Sequence, residues 1–132
     1  MPDTVAIPDL ASAAMLAHAE RDAPHEACGL LIGLGRTVAR AVPTTNAEAS
    51  PTRYTVPADE HFTALRQARA EGLAVVGAYH SHPRGPAEPS SADAATAFPG
   101  FVFVIAGLAP QPHLRAWQFA DGNFVELRVV RT

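Results

Sequence analysis

The sequence predicts an α+β (α/β layered) fold, in which helices flank a mixed, largely antiparallel β-sheet. Two strongly apolar segments, residues 73–79 and 101–107, have the composition of buried strands. A helix is predicted to start at Pro8 and Asp9 and to run to about Asp22, with one apolar stripe made of Leu10, Ala13, Ala14, Leu16 and Ala17. Near the C terminus, Asp121-Gly122 between two strand-like segments is typical of a tight β-hairpin. Because helices and strands are interspersed along the chain, we expect one layered unit with a mixed sheet.

The other elements follow from turn and capping signals in the sequence. In chain order they are a short segment at 4–7, strands at 26–34 and 36–43 joined at Gly35, a loop at 46–52, a strand at 54–56, a helix at 57–71 ended by Gly72, a short helix at 91–97, and hairpin strands at 114–119 and 123–130. There is no repeat and no linker, so residues 1–132 are predicted to form a single domain.

The composition indicates a globular protein and excludes several classes. Of the 132 residues, 48% are hydrophobic and 17% charged, which is too apolar for a disordered chain. The formal net charge of −3 argues against a nucleic-acid partner, which would require clustered basic residues. A single Cys fits a reducing compartment, and the sequence has neither a signal segment nor a membrane-length apolar run. We therefore expect a cytoplasmic protein without a membrane partner.

The most informative stretch is His80-Ser81-His82-Pro83, which directly follows the first apolar strand. Successive side chains of a strand alternate between its faces, so His80 and His82 should project from the same face. Pro83 cannot donate to a central ladder, so the strand should end there. Two imidazoles at the end of a rigid strand form a candidate pair of metal ligands, and they need a third ligand from the protein.

Asp93 is the best candidate for that ligand. Residues 84–89 are rich in proline and glycine and should form a stiff loop, after which Ser90 and Ser91 resemble the start of a helix. Asp93 then lies in the first helical turn, where a returning loop could bring it beside the strand end. Two His and one carboxylate with an open fourth position are usual for catalytic zinc, although non-haem iron(II) sites use the same residue types.

Each feature also has a purely structural interpretation. A His at a strand end is more often a surface or hydrogen-bonded residue than a ligand. Ser90 and Asp93 could serve only as a helix cap, because a carboxylate three residues after a Ser suits a helix N terminus. The joint spacing of the residues is what favours a metal site.

That spacing resembles the signature of the JAMM (MPN-type) zinc metalloproteases. His-Ser-His-Pro, six residues, Ser, two residues and Asp match it at every position, and Glu26 in the segment 24–33 resembles the upstream glutamate of the family. The resemblance implies the cytidine-deaminase-like fold of that family and one Zn²⁺ per chain, bound by His80, His82 and Asp93. The short chain is most similar to stand-alone bacterial members that act on ubiquitin-like sulfur-carrier proteins.

The resemblance also implies a mechanism. Zinc lowers the pKa of its water, and a base must still accept the proton. Glu26 is expected to take this proton and to pass it to the leaving nitrogen, while Ser90 stabilises the oxyanion on the attacked carbonyl. The implied substrate is the C-terminal tail of a ubiquitin-like or sulfur-carrier protein, joined through a peptide or isopeptide bond.

An edge strand or an exposed apolar helix could also support a homodimer.

Three other interpretations fit the sequence less well than a peptidase does. A non-catalytic MPN-type scaffold for protein binding would have the same fold, but such members usually lack one or more of the ligands. A zinc nucleobase deaminase requires a Pro-Cys-x-x-Cys pair, which a chain with one Cys does not have. A structural zinc site would more often be closed by four ligands, mostly Cys.

The remaining polar and aromatic residues are predicted to be structural. Cys28 is expected to be a small buried thiol, and Ser81 to face away from the two His. His25 is expected to be a structural or a surface residue. Surface positions are predicted for His18 and His61 on helices and for His113 in a Pro-rich turn, and core or sheet-face positions for Phe101, Phe103 and Trp117.

Overall fold

The computed structural model describes residues 3–132 and confirms the α+β class. Over this range the elements are β1 (Thr4–Ile7), α1 (Asp9–Asp22), β2 (Cys28–Leu34), β3 (Thr37–Thr44), α2 (Ala58–Ala70), β4 (Ala74–His82), α3 (Ser91–Thr96), β5 (Val102–Gly107), β6 (His113–Ala120) and β7 (Asn123–Arg131). Within the same residues, no helix combines the length and apolar character needed to cross a membrane.

The strands form a mixed sheet in the order β1-β3-β2-β4-β5-β6-β7, and the sheet closes because β1 also pairs with β7. The neighbours of β2 and of β6 are antiparallel to them, whereas β4 and β5 run parallel. A parallel pair needs a crossover connection, and here residues 83–101 provide it. This crossover carries α3 past the end of β4, where the candidate ligands lie.

Two apolar clusters cover the two faces of the sheet. One includes Met15 of α1, Leu31 and Tyr79, and the other includes Leu30 and Ala64 of α2. Neighbouring residues of β2 therefore point to opposite clusters, as the alternation of a strand requires. Because both faces of β2, β4 and β5 are covered, these strands are almost continuously apolar, which is why the sequence reveals them clearly.

The face of α1 that packs on the sheet is not the predicted one. Its buried residues are Ala11, Ser12, Met15, His18 and Ala19, whereas Leu10 is 86% exposed. The helix is rich in Ala all around, so apolar periodicity distinguishes its faces poorly. Packing favours the face on which Met15 fills the core.

His18 is buried and not a surface residue as predicted. Its Nδ1 lies 2.7 Å from the Tyr79 hydroxyl and its Nε2 lies 3.0 Å from the Asp22 carboxylate. Hydrogen bonds to these two groups replace the ones that the imidazole would make with water if it were exposed. His113 was also misassigned to a turn: it is the first residue of β6, is partly buried, and accepts a hydrogen bond from the Ala87 N–H.

The predicted strand at 54–56 is wrong, because these residues have no regular structure. The carboxamide of Asn46 accepts a hydrogen bond from the Thr55 N–H and donates one to the Arg53 carbonyl, while the Thr55 carbonyl accepts from Ala47. Backbone groups that a strand would use in a ladder are thus satisfied inside a loop.

Strand β2 begins at Cys28 and not at Glu26. The Glu26 N–H donates to the Ser50 carbonyl and the Glu26 carbonyl accepts from Asn46, so both groups bond to the loop that follows β3. The predicted positions of the other strands and of the three helices agree with the structure to within one or two residues at their ends.

The close approach of β4 and β5 predicts a strong effect of Gly77→Ala. A Cβ at Gly77 would overlap the backbone carbonyl of Val102 on the neighbouring strand. We expect a loss of about 2 kcal/mol in the free energy of unfolding, because the strand backbone cannot move away without breaking the ladder. Gly85→Ala is the matched control, since nothing lies within 4 Å of its Cβ. Equal denaturation midpoints for the two variants would contradict this packing.

Candidate metal centre and active site

The two histidines lie at the end of the central strand β4. His80 pairs with Cys28 of β2 on one side and with Ile105 of β5 on the other, so its backbone is fixed by two ladders. His80 is buried and His82, the last residue of the strand, is partly exposed. As predicted, the strand ends immediately before Pro83.

Asp93 is placed by a helix cap at the start of α3. The Ser90 hydroxyl accepts a hydrogen bond from the Asp93 N–H at 3.1 Å, and the Asp93 carboxylate accepts one from the Ser90 N–H at 2.9 Å. This reciprocal arrangement is a capping box, which satisfies two backbone donors at the helix N terminus. The sequence prediction of a helix that begins after Ser90 is confirmed, and the cap turns the carboxylate toward β4.

Three candidate ligand atoms converge on one point. His80 Nε2 lies 3.0 Å from one Asp93 oxygen and His82 Nε2 lies 3.1 Å from the other. The two Nε2 atoms are 3.3 Å apart, and one ligand atom from each residue falls within a 4.8 Å span. A tetrahedral zinc with bonds of about 2.0–2.1 Å has ligand atoms roughly 3.3 Å apart. The donor set therefore fits a small divalent metal ion.

The charge states of Asp93 and His80 suit a metal. Burial opposes the ionisation of Asp93, but hydrogen bonds from His80 and His82 outweigh it and hold the Asp93 pKa well below its usual range. Burial lowers the pKa of His80 despite its contact with Asp93, so this imidazole stays neutral. For His82, the bonds to Asp93 and Pro86 overcome the effect of burial and raise the pKa. Metal binding requires an ionised carboxylate and unprotonated imidazole nitrogens. Asp93 and His80 are in that state, whereas the raised pKa of His82 means that protonation competes with a metal for this imidazole.

The structure brings Glu26 and Ser90 to the same cleft as His82. This cleft has a volume of about 210 Å³. It is lined by Glu26, Pro51, Thr52, His82, Pro83, Arg84, Gly85 and Ser90. Glu26 thus lines the same cleft as the motif that starts at His80, 54 positions later in the sequence. No local sequence pattern predicts that these residues lie close together.

Glu26 is 3% exposed, and its Oε1 is buried without a hydrogen-bond partner among the described residues. Burial raises the pKa of this carboxyl to about 8, against the attraction of the nearby His82 imidazole. A carboxyl with a pKa near neutrality can both accept and return a proton, which is the property of a general base that later acts as an acid.

Two side chains near the site have structural tasks. Ser81 faces away from the ligands, and its hydroxyl accepts a hydrogen bond from the Ala27 N–H at 2.8 Å, which ties the residue next to Glu26 to β4. Cys28 is buried against Thr44, and burial raises its pKa to about 11. The burial confirms the prediction of a small buried thiol, and a protonated thiol is a poor nucleophile. His25 is exposed, which agrees with the surface alternative of its prediction.

One residue that contacts the site, Tyr54, was not predicted from the sequence. The Tyr54 ring stacks on the His80 imidazole, with ring centroids 4.5 Å apart and an angle of 17° between the planes. Tyr54 lies in the irregular loop before α2. No local sequence pattern shows whether an aromatic residue in a loop packs against a site or is exposed to solvent.

Comparison with protein families and curated relatives identifies the family. The family model for prokaryotic homologues of the JAB domain matches residues 10–120. The chain is 36% identical over 118 residues to a CysO-cysteine peptidase of Mycobacterium tuberculosis, a match that covers 86% of this chain and 81% of that protein. It is 38% identical over 115 residues to a probable TtuB-protein conjugate cleaving protease of Thermus thermophilus, covering 86% and 75%.

Solved structures agree with this assignment. A solution structure of a protein from Desulfitobacterium hafniense has a TM-score of 0.89 and 32% identity, and covers 98% of this chain and 93% of that one. A JAB1/MPN domain protein from Archaeoglobus fulgidus has the same fold at 21% identity, with a TM-score of 0.62 and coverage of 97% and 98%. The chain therefore belongs to the prokaryotic JAB-domain homologues, and it is an enzyme of the JAMM/MPN class of peptidases.

Proposed function

We propose that this protein is a zinc-dependent peptidase or isopeptidase that hydrolyses the bond at the C-terminal tail of a ubiquitin-like or sulfur-carrier protein. The observation that carries the proposal is the convergence of His80, His82 and Asp93 beside a cleft that also contains Glu26 and Ser90. The relatives support the substrate class, because one is a CysO-cysteine peptidase and another is a protease for TtuB-protein conjugates. Our preferred substrate is a sulfur-carrier protein with one extra C-terminal residue, which the enzyme removes.

In this proposal His80, His82 and Asp93 hold one Zn²⁺. When bound, the ion would lower the pKa of a water molecule and polarise the scissile carbonyl. The protein contributes a rigid strand end and a capped helix, which fix the donors before the metal arrives. Such preorganisation reduces the cost of assembling the site.

Glu26 is the proposed general base. Its buried carboxylate lies in the cleft beside His82 and accepts the proton of the attacking water. The protonated Glu26 then donates this proton to the leaving nitrogen, which would otherwise depart as a strongly basic amide anion. The raised pKa supports this return step, because an ordinary carboxyl would hold the proton only weakly near pH 7.

Ser90 is the proposed donor to the oxyanion. Its oxygen accepts the Asp93 N–H in the helix cap, and a hydroxyl that accepts one hydrogen bond can still donate its own hydrogen. The side chain is exposed in the cleft, so it can donate to the carbonyl oxygen as negative charge develops there.

We further propose that the chain works as one peptidase domain in the cytoplasm. The family match over residues 10–120 supports one domain, and a single Cys without a disulfide suits a reducing compartment.

Asp93→Asn tests the metal site. Asn keeps an oxygen that can accept the Ser90 N–H but loses the charge, so α3 should stay capped while zinc affinity falls by at least about a hundredfold. We expect one zinc per native chain by elemental analysis and cleavage of a sulfur carrier with one extra residue by intact mass spectrometry. The variant should lose both. Glu20→Ala, an exposed carboxylate, is the control and should change neither.

Glu26→Gln separates catalysis from metal binding. The variant should retain one zinc per chain, because Glu26 is not among the proposed ligands, while kcat falls by about 10²–10⁴-fold for loss of a general base. Zinc content and single-turnover cleavage of the same carrier substrate provide the measurement. Full activity in a variant that retains zinc would remove Glu26 from the mechanism.

The raised pKa of Glu26 also predicts the pH dependence of stability in the metal-free protein. The folded pKa of about 8 lies above the ordinary value of 4.5, so the stability that protonated Glu26 contributes is complete below pH 4.5 and is lost as the pH rises through 8. Relative to Glu26→Gln, native protein in chelator should lose about 4 kcal/mol of unfolding free energy between pH 5 and 9. Urea denaturation at several pH values measures this difference, and a constant difference would indicate a solvated Glu26.

A further inference from the structure

The two histidines at the end of β4 are oriented by different means. His82 Nδ1 lies 2.9 Å from the Pro86 carbonyl, so its Nδ1–H can donate there while Nε2 faces Asp93. His80 also directs Nε2 toward Asp93, but its Nδ1 is buried and has no hydrogen-bond partner among residues 3–132. Ligand histidines usually donate the second ring N–H to a carbonyl or carboxylate, which fixes the ring. His80 lacks this restraint.

The Tyr54 ring lies where it can restrain the orientation of the His80 imidazole by packing against it. It stacks on the His80 imidazole at 4.5 Å and 17°, a nearly parallel contact, while the ring of His82 meets the same imidazole at 61°. A half-turn of the imidazole about its Cβ–Cγ bond would replace Nε2 by Cε1 at the metal position. A ring packed flat against one face of the imidazole blocks this rotation, because the turn passes through orientations that collide with it.

We propose that Tyr54 is a positioning residue that holds His80 Nε2 on the metal position, in place of the missing hydrogen bond. This inference rests on the proposed metal site. Tyr54 does not contact the ion in this account. It acts through His80, and it makes zinc affinity depend on a loop that contributes no ligand.

The loop at residues 46–55 keeps Tyr54 in place. Asn46 donates to the Arg53 carbonyl at 2.9 Å and accepts from the Thr55 N–H at 3.1 Å, so one carboxamide bonds to the backbone on both sides of Tyr54. The same Asn46 amide donates to the Glu26 carbonyl at 3.1 Å. The loop therefore fixes the stacking ring and the backbone of the proposed base together.

Zinc affinity of Tyr54 variants tests the proposal. Tyr54→Leu fills much of the space without a flat ring, and Tyr54→Phe keeps the ring and removes only the hydroxyl. We expect zinc Kd, measured by competition with a chromophoric chelator, to rise about 10–100-fold for Leu and less than about threefold for Phe. The Co²⁺ absorption spectrum should change for Leu and stay native for Phe. Phe62→Leu, which replaces a 63% exposed aromatic on α2, is the matched control and should bind as the native protein does.

The outcomes are distinguishable. Native affinity and a native Co²⁺ spectrum in folded Tyr54→Leu would overturn the role of Tyr54 while leaving the metal site intact. Absence of zinc binding in the native protein would overturn the proposed metal site and this inference with it. Metal-free thermal unfolding establishes that each variant is folded. If Tyr54→Leu is not, Tyr54→Met provides the same comparison with a flexible side chain, and native Kd there would also overturn the proposal.

Discussion

Asp93 bonds both to the helix it caps and to the two imidazoles, and the geometry of the site depends on these bonds. One carboxylate accepts the Ser90 N–H at the start of α3 and lies about 3 Å from both His80 and His82 at the end of β4. A charged group that is 8% exposed is stable only with such partners. Because the same carboxylate bonds to the helix cap and to the imidazoles, it holds the start of α3 against the end of β4.

The parts of the site that follow from local sequence were predictable. Alternation along a strand places His80 and His82 on one face, Pro83 ends the strand, and Ser90 with Asp93 marks a helix start; each signal acts within a few residues. The apolar strands were equally clear because both their faces are buried. These local signals predict most of the helices and strands. They also predict that His80, His82 and Asp93 lie close together.

The features that could not be predicted from the sequence depend on contacts between residues that are far apart in the chain. The burial of Glu26 depends on hydrogen bonds to Ser50 and Asn46, and the stacking of Tyr54 depends on the same loop. Closure of the sheet requires β1 to meet β7 across the entire chain. His18 was misplaced because its partner Tyr79 lies 61 residues away. A buried polar residue becomes recognisable only when its partner is known.

Anomalous diffraction at the zinc absorption edge, from crystals of the zinc-loaded protein, tests the central claim most directly. The account predicts one strong peak per chain, in contact with His80 Nε2, His82 Nε2 and an Asp93 oxygen, with the cleft of Glu26 and Ser90 beside it. A peak bound by other residues, or none at this position in protein that has one zinc per chain, would contradict the account.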